Sequence, residues 1–110
     1  MGRGGEIGGA VPRPEVLLAG IRALAAHSDQ VVFTYHALER MEQRDILDVD
    51  VLRTLRQGRI DGPIEPTATS GDWKAKVVFR LCGSRDAGVV TVVAQARRLI
   101  VLTVEWEDLR

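Results

Sequence analysis

Apolar positions recur at helical spacing in the first half of the chain and at strand spacing in the last third. Leu17, Leu18, Ile21, Leu24 and Ala25 form one stripe, which predicts an amphipathic helix. Pro14 opens it, because a first-turn proline lacks only an N–H that would go unpaired anyway. The helix is expected to end near His27-Ser28-Asp29. Val31-Val32-Phe33-Thr34 is β-branched and aromatic and predicts a short strand. Thr34 is placed to cap a second helix over 35–44, with Leu38 and Met41 facing the core. A third helix is expected from Asp48, as its cap, to Gln57, burying Val51, Leu52 and Leu55. Gly58 supplies the residue after its end.

Gly62, Pro63, Pro66 and Gly71 predict a short extended segment and then a loop. Three strands follow. Trp73 to Cys82 alternates, with Trp73, Ala75, Val77, Phe79 and Leu81 on one side and Lys74, Lys76, Val78, Arg80 and Cys82 on the other. Val89 to Ala96 and Leu99 to Trp106 are β-rich, with a tight turn near Arg97-Arg98. Setting Leu81 opposite Val90 and Ala94 opposite Ile100 gathers Val77, Phe79, Leu81, Val90, Val92, Ile100, Leu102, Val104 and Trp106 on one face. The other face then holds Lys74, Lys76, Arg80, Thr91, Gln95, Thr103 and Glu105. A slip of one residue spoils that segregation. The expected architecture is α+β: N-terminal helices packed on one face of an antiparallel sheet of three to five strands, with a polar, locally basic face left open.

Composition changes this picture in a few places. The 110 residues fit one domain over 14–110, preceded by a flexible tail over 1–13 that holds five of the eleven glycines. Apolar residues at 45% and charged residues at 27% exclude a wholly disordered or fibrous chain. Lys plus Arg and Asp plus Glu balance at 15 each, so the broad basic field of a typical nucleic-acid binder is absent and any basic site must be local. All of these cations except Lys74 and Lys76 are arginine, whose planar fork suits phosphate or carboxylate. The single cysteine, Cys82, excludes an internal disulfide framework and a cysteine-based zinc site. It reads as a small structural residue. No membrane partner, metal or cofactor is expected, and the cytoplasm is the expected compartment.

Two groups of residues could carry chemistry. His36, Arg40 and Arg44 are spaced i, i+4, i+8 and share a helical stripe about 80° wide. A histidine can exchange a proton near neutral pH, and two arginines beside it could hold a phosphodiester. The structural alternative is a solvated face on which the arginines pair with Glu39 or Glu42. The second group is the open sheet face, where Lys74, Lys76 and Arg80 make a positive strip with Gln95, Thr103 and Glu105 around it. Such a strip can follow an RNA backbone, and Glu105 could act as a base. The plain alternative is a solvent-facing side with its charges balanced.

The segment His36 to Ile46 reads H-A-x-x-R-M-x-x-R-x-I, with Val31 to Thr34 before it and Asp50 to Gly58 after it. This pattern, with the closing Leu102-Thr103-Val104-Glu105-Trp106, resembles the bacterial domain-of-unknown-function-4258 family over residues 31–107. That family is in turn similar to the RelE, ParE and MqsR toxins, compact α+β proteins of which many cut mRNA without metal and are silenced by an antitoxin. The resemblance implies a RelE-like fold and a metal-independent endoribonuclease toxin that drives the ribose 2′-OH onto the adjacent phosphate. His36 would be its general acid or base, Arg40, Arg44 and Arg80 would stabilise the phosphorane, and Lys74, Lys76, Gln95 and Glu105 would line the RNA. Candidate partners are RNA, an antitoxin or other protein, and a second copy of the chain. The alternative is a non-enzymatic, toxin-like binding or regulatory module that contacts a protein partner. Convergence of His36 with the guanidinium groups and Glu105 would favour catalysis, and carboxylates matched to each cation would favour the module.

Overall fold

The computed structural model describes residues 10–108, so the expectation of a flexible tail lies largely outside it, as does the side chain of Cys82. The elements are α1 (Pro14–Ala25), a 3₁₀ turn (Ser28–Gln30), β1 (Val31–Phe33), α2 (Tyr35–Arg44), α3 (Asp48–Gln57), β2 (Arg59–Pro66), β3 (Trp73–Cys82), β4 (Arg85–Ala94) and β5 (Arg98–Trp106).

Thr34 caps α2 as its position predicts. Its Oγ1 accepts the Ala37 N–H at 3.1 Å and donates to the Val101 carbonyl at 3.0 Å. α3 is capped one residue earlier than expected, at Leu47. The Asp50 carboxylate accepts the Leu47 N–H at 3.0 Å, which leaves Asp48 as the first helical residue. On α2, Ala37 and Met41 take the buried face and Leu38, expected in the core, is exposed. The cap at Thr34 fixes the helix phase, and that phase turns Leu38 about 100° away from Ala37.

The five strands are ordered β1-β5-β4-β3-β2. β1 runs parallel to β5, and the other three pairings are antiparallel, so the sheet is mixed and not wholly antiparallel. β1 and β5 are far apart in sequence, and no hairpin imposes an antiparallel sense on them.

The register also differs from the expected one. Val77 faces Val89, Lys76 faces Val90, and Ala94 faces Arg98. Val89, Thr91 and Val93 therefore share the core face with Ala75 and Val77, while Val90, Val92 and Ile100 share the other face with Lys74 and Lys76. Thr91 is the reason. It is wholly buried, and its Oγ1 donates to the Ile100 carbonyl at 3.1 Å. With the shape of valine and a satisfied hydroxyl, it fits a core position that a polar residue was expected to avoid. A bulge between Val90 and Thr91 leaves Leu102 as an extra residue on β5, which returns Val104 and Trp106 to the core side. The hairpin turns at Gln95 and Ala96, both with positive φ, two residues earlier than expected.

The core lies between the three helices and one sheet face. Ile21, Ala25, Ala37, Met41, Val51 and Leu55 meet Val77, Val89, Leu99, Val101 and Val104. Each valine, leucine, isoleucine or methionine among these contributes about 1.5–3 kcal/mol on burial, and each alanine less. Val77 is buried as expected, but Phe79 and Leu81 are only half-buried. β2 begins opposite Val78, so the end of β3 runs past it, and the Arg53 guanidinium covers the Phe79 ring at 5.7 Å. α1 and α3 are tied at their ends: Arg22 Nη2 donates to the Gly58 carbonyl at 2.8 Å, and Arg56 Nε donates to the Ala25 carbonyl at 2.6 Å.

Candidate functional site

α2 lies along β5 because both its ends are bonded to that strand. At the start, Thr34 Oγ1 reaches the Val101 and Leu102 carbonyls at 3.0 and 3.2 Å. At the end, Trp106 Nε1 donates to the Arg44 carbonyl at 2.8 Å. These ties fix how the His36, Arg40, Arg44 stripe is presented. Taking Ala37 as the buried direction, Arg44, Arg40 and His36 lie about 20°, 60° and 100° away from it. The two arginines are accordingly less exposed than His36. Arg44 is half-buried, with an Nε that finds no hydrogen-bond partner among the described residues. Arg40 is half-buried and donates to Gln43 Oε1 at 3.0 Å, and His36 is exposed. The stripe therefore exists, but it runs from solvent at His36 towards the helix–sheet interface at Arg44.

The second group lies on the other side of the sheet. Ala75 and Val77 point to the helices, so Lys74, Lys76 and Arg80 point away from them, together with Glu105. The sheet thus separates His36, Arg40 and Arg44 from Arg80 and from Lys74, Lys76 and Glu105 among the expected RNA-lining residues. Gln95 is removed from both, in the β4–β5 turn, where its N–H donates to Asp72 Oδ1 at 2.8 Å.

Each cation of the strip meets a carboxylate. Lys74 Nζ lies 3.3 Å from Glu65, and Lys76 Nζ lies 2.7 Å from Glu107 and 3.9 Å from Asp61. Arg80 Nε lies 2.9 Å from Asp86. The hydrogen bond to Glu107 raises the Lys76 pKa above the ordinary lysine value, partly offset by desolvation. The hydrogen bond from Arg80 holds the Asp86 carboxyl below the ordinary range. An open groove of about 300 Å³ runs beside this strip, lined by Asp61, Gly62, Pro63, Glu65, Lys74 and Lys76. The groove forms where β2 bulges between Asp61 and Glu65. Its charges are of both signs and matched in pairs.

Asp61, Glu65, Asp86 and Glu107 were not anticipated as parts of this face. Alternation on β3 exposes the cations, but their partners come from other strands and from the residue after β5, which only the register reveals. Arg85 was missed too. Its guanidinium lies 4.2 Å over the Trp106 ring and pairs with Asp108 at 3.3 Å. Among the described residues, no three His, Cys, Asp or Glu side chains converge in a way that could hold a metal ion. No helix among them is long and apolar enough to cross a membrane.

The fold and its two charged faces define a small α+β protein with three helices on one side of a five-stranded mixed sheet. Residues 33–106 match the family described as domain of unknown function (DUF4258), and the chain belongs to that family. α1 lies ahead of the matched span. Neither the curated proteins nor the solved structures contain a match.

Proposed function

We propose that this protein is a toxin-like binding module that acts through a protein partner, and not by cutting RNA with a His36, Arg40, Arg44 and Arg80 site. The observation that carries this reading is the pairing of Lys74, Lys76 and Arg80 with Glu65, Glu107 and Asp86 on a face that the sheet separates from His36. Cations already matched by carboxylates offer little to a phosphate backbone, because binding there must first break the internal pairs. A mixed-charge face suits a protein surface, where complementary charges fix register and exclude wrong partners. The α+β layering, with helices ahead of the main sheet, is compatible with the RelE-like relationship that the sequence pattern suggests.

One observation favours the endoribonuclease reading instead: His36 is exposed, with Arg40 one turn away on the same stripe. Incubating the full chain with a mixed RNA pool in a chelator, beside growth of a bacterium expressing it, separates the two. The module reading expects no cleavage and no growth arrest that distinguishes wild type from His36→Ala. Cleavage that is lost in His36→Ala overturns it.

A further inference from the structure

The two edges of the sheet are unlike. β2 carries Gly62 at φ +87°, Pro63, Pro66, a bulge and two carboxylates, all devices that stop another strand from adding. β1 has no proline, no charge and no bulge in Val31–Phe33. The Thr34 N–H donates to the Val101 carbonyl at 3.2 Å. By strand alternation the backbone groups of Val32 also face β5, and those of Val31 and Phe33 point away from the sheet. The Val31 N–H is held by the Ser28 carbonyl, which leaves the Val31 C=O and both Phe33 groups directed outward. Apolar surface accompanies this edge: Val32 is 43% exposed and Tyr35, two residues past the strand, 92%.

We propose that this edge pairs with the same edge of a second copy, β1 antiparallel to β1 about a two-fold axis through Val32. In that register each Phe33 N–H donates to the Val31 carbonyl of the other copy. The two Val32 side chains face each other at a position without hydrogen bonds, where strands approach closest.

Charge favours a second copy as the occupant. α2 has no acidic residue in its first turn, so the positive end of its dipole meets no carboxylate of its own. Asp29 stands exposed on the turn just before β1. Antiparallel pairing carries the Asp29 of each copy to the start of α2 of the other, beside Tyr35 and His36. One symmetry operation makes both contacts twice, as an isologous interface requires. A three-residue edge buries less than a permanent dimer does, so the association is reversible. The inference does not rest on the proposed function, because self-association is read without RNA or any other partner.

Sedimentation velocity on the full chain, from about 10 μM to about 1 mM, tests it. The species should move with concentration from the 12.1 kDa of one chain towards twice that mass. Val32→Lys and Val32→Glu should each remain monomeric, and their circular dichroism should match wild type because this side chain lies outside the core. An equal mixture of the two should dimerise again, since opposite charges then meet at the axis. A wild-type chain that stays monomeric throughout, a Val32→Lys chain that dimerises like wild type, or a mixture that stays monomeric overturns the proposal.

Discussion

The indole Nε1 of Trp106 donates to the carbonyl oxygen of Arg44 at 2.8 Å, and through this bond the last strand holds the end of α2. Arg44 takes part through its backbone, so the bond survives any side chain at position 44. Thr34 makes the corresponding tie at the other end of the helix. The presentation of the His36 stripe is thus set by residues at both ends of α2 and along β5.

Trp106→Phe keeps most of the ring and removes the donor. It should lower stability by about 0.5–1.5 kcal/mol, the net worth of one hydrogen bond. Trp106→Ala also removes half-buried ring surface and the face beneath Arg85, and should cost about 2–4 kcal/mol. Urea unfolding of both variants checks this. Equal losses would mean that the ring contributes nothing beyond its N–H.

The three stripe residues should not behave alike. His36→Ala should change stability by no more than about 0.5 kcal/mol, as a surface substitution does. Arg44→Met keeps the half-buried stem and removes a guanidinium whose Nε is buried without a partner among the described residues. It should therefore be neutral or stabilising, within about 1 kcal/mol. Arg44→Ala loses the stem as well and should cost more than Arg44→Met. Thermal melts of the three variants test the order, and a large loss in Arg44→Met would show that the guanidinium itself holds the fold.

These contrasts mark how much of the molecule could be read from its residues. The helix at 35–44 was legible because the Thr34 cap and Met41 act locally, although the buried residue beside Met41 is Ala37 and not Leu38. β3 was legible because its lysines and apolar residues alternate. The register of β4 was not, because Val89, Val90, Val92 and Val93 are apolar at both parities and the one polar residue between them, Thr91, is buried. The parallel pairing of β1 with β5 carries no local signal at all. The same holds for the site. The His36 stripe could be drawn from spacing, but its separation from Lys74, Lys76 and Arg80 depends on which sheet face the helices cover. The carboxylates that match those cations depend on strand order.

Stability should respond to pH at both extremes through the paired face. The Asp86 pKa is lowered by the Arg80 hydrogen bond, so its contribution is present above the ordinary carboxylate value and is lost as pH falls through the folded-state value. The Lys76 pKa is raised by its hydrogen bond to Glu107, so its contribution is present below the ordinary lysine value and is lost as pH rises through the folded-state value. Asp86→Asn should flatten the melting temperature's fall below about pH 4, and Lys76→Met its fall above about pH 10. Neither should alter the slope between about pH 6 and pH 8. An unchanged acid limb in Asp86→Asn, or an unchanged alkaline limb in Lys76→Met, would remove these pairs from the account.

Gly58 ends α3 with φ −81°, so it is not there for a left-handed turn. A Cβ at this position would sit 2.6 Å from the Thr54 and Val78 carbonyl oxygens and 2.8 Å from Val77 Cγ1. Two of these neighbours are backbone and cannot turn aside. Gly58→Ala should therefore cost about 2–3 kcal/mol, the upper part of the range for overpacking. Gly20→Ala, where a Cβ meets nothing within 4 Å, should be neutral or stabilising on helix propensity. Equal melting temperatures for the two variants would contradict the close approach at Gly58.

Arg22 and Arg56 make a reciprocal tie, each donating to a carbonyl at the end of the other's helix. A cation at a helix C-terminus meets both unpaired carbonyls and the negative end of the dipole. α1 precedes the span that matches the family, yet Leu17, Ile21 and Ala25 belong to the main core. The two arginines orient the packing of that helix. Arg22→Ala and Arg56→Ala should each cost about 0.5–1.5 kcal/mol. Both bonds hold the same two helix ends, so once one is lost the other has a looser pair to grip. The double variant should then cost less than the sum of the singles, with a coupling of about 0.5 kcal/mol or more. Urea unfolding of the four chains closes the cycle. Strict additivity would mean that each arginine acts on its own helix end and that the tie between α1 and α3 comes from apolar packing alone.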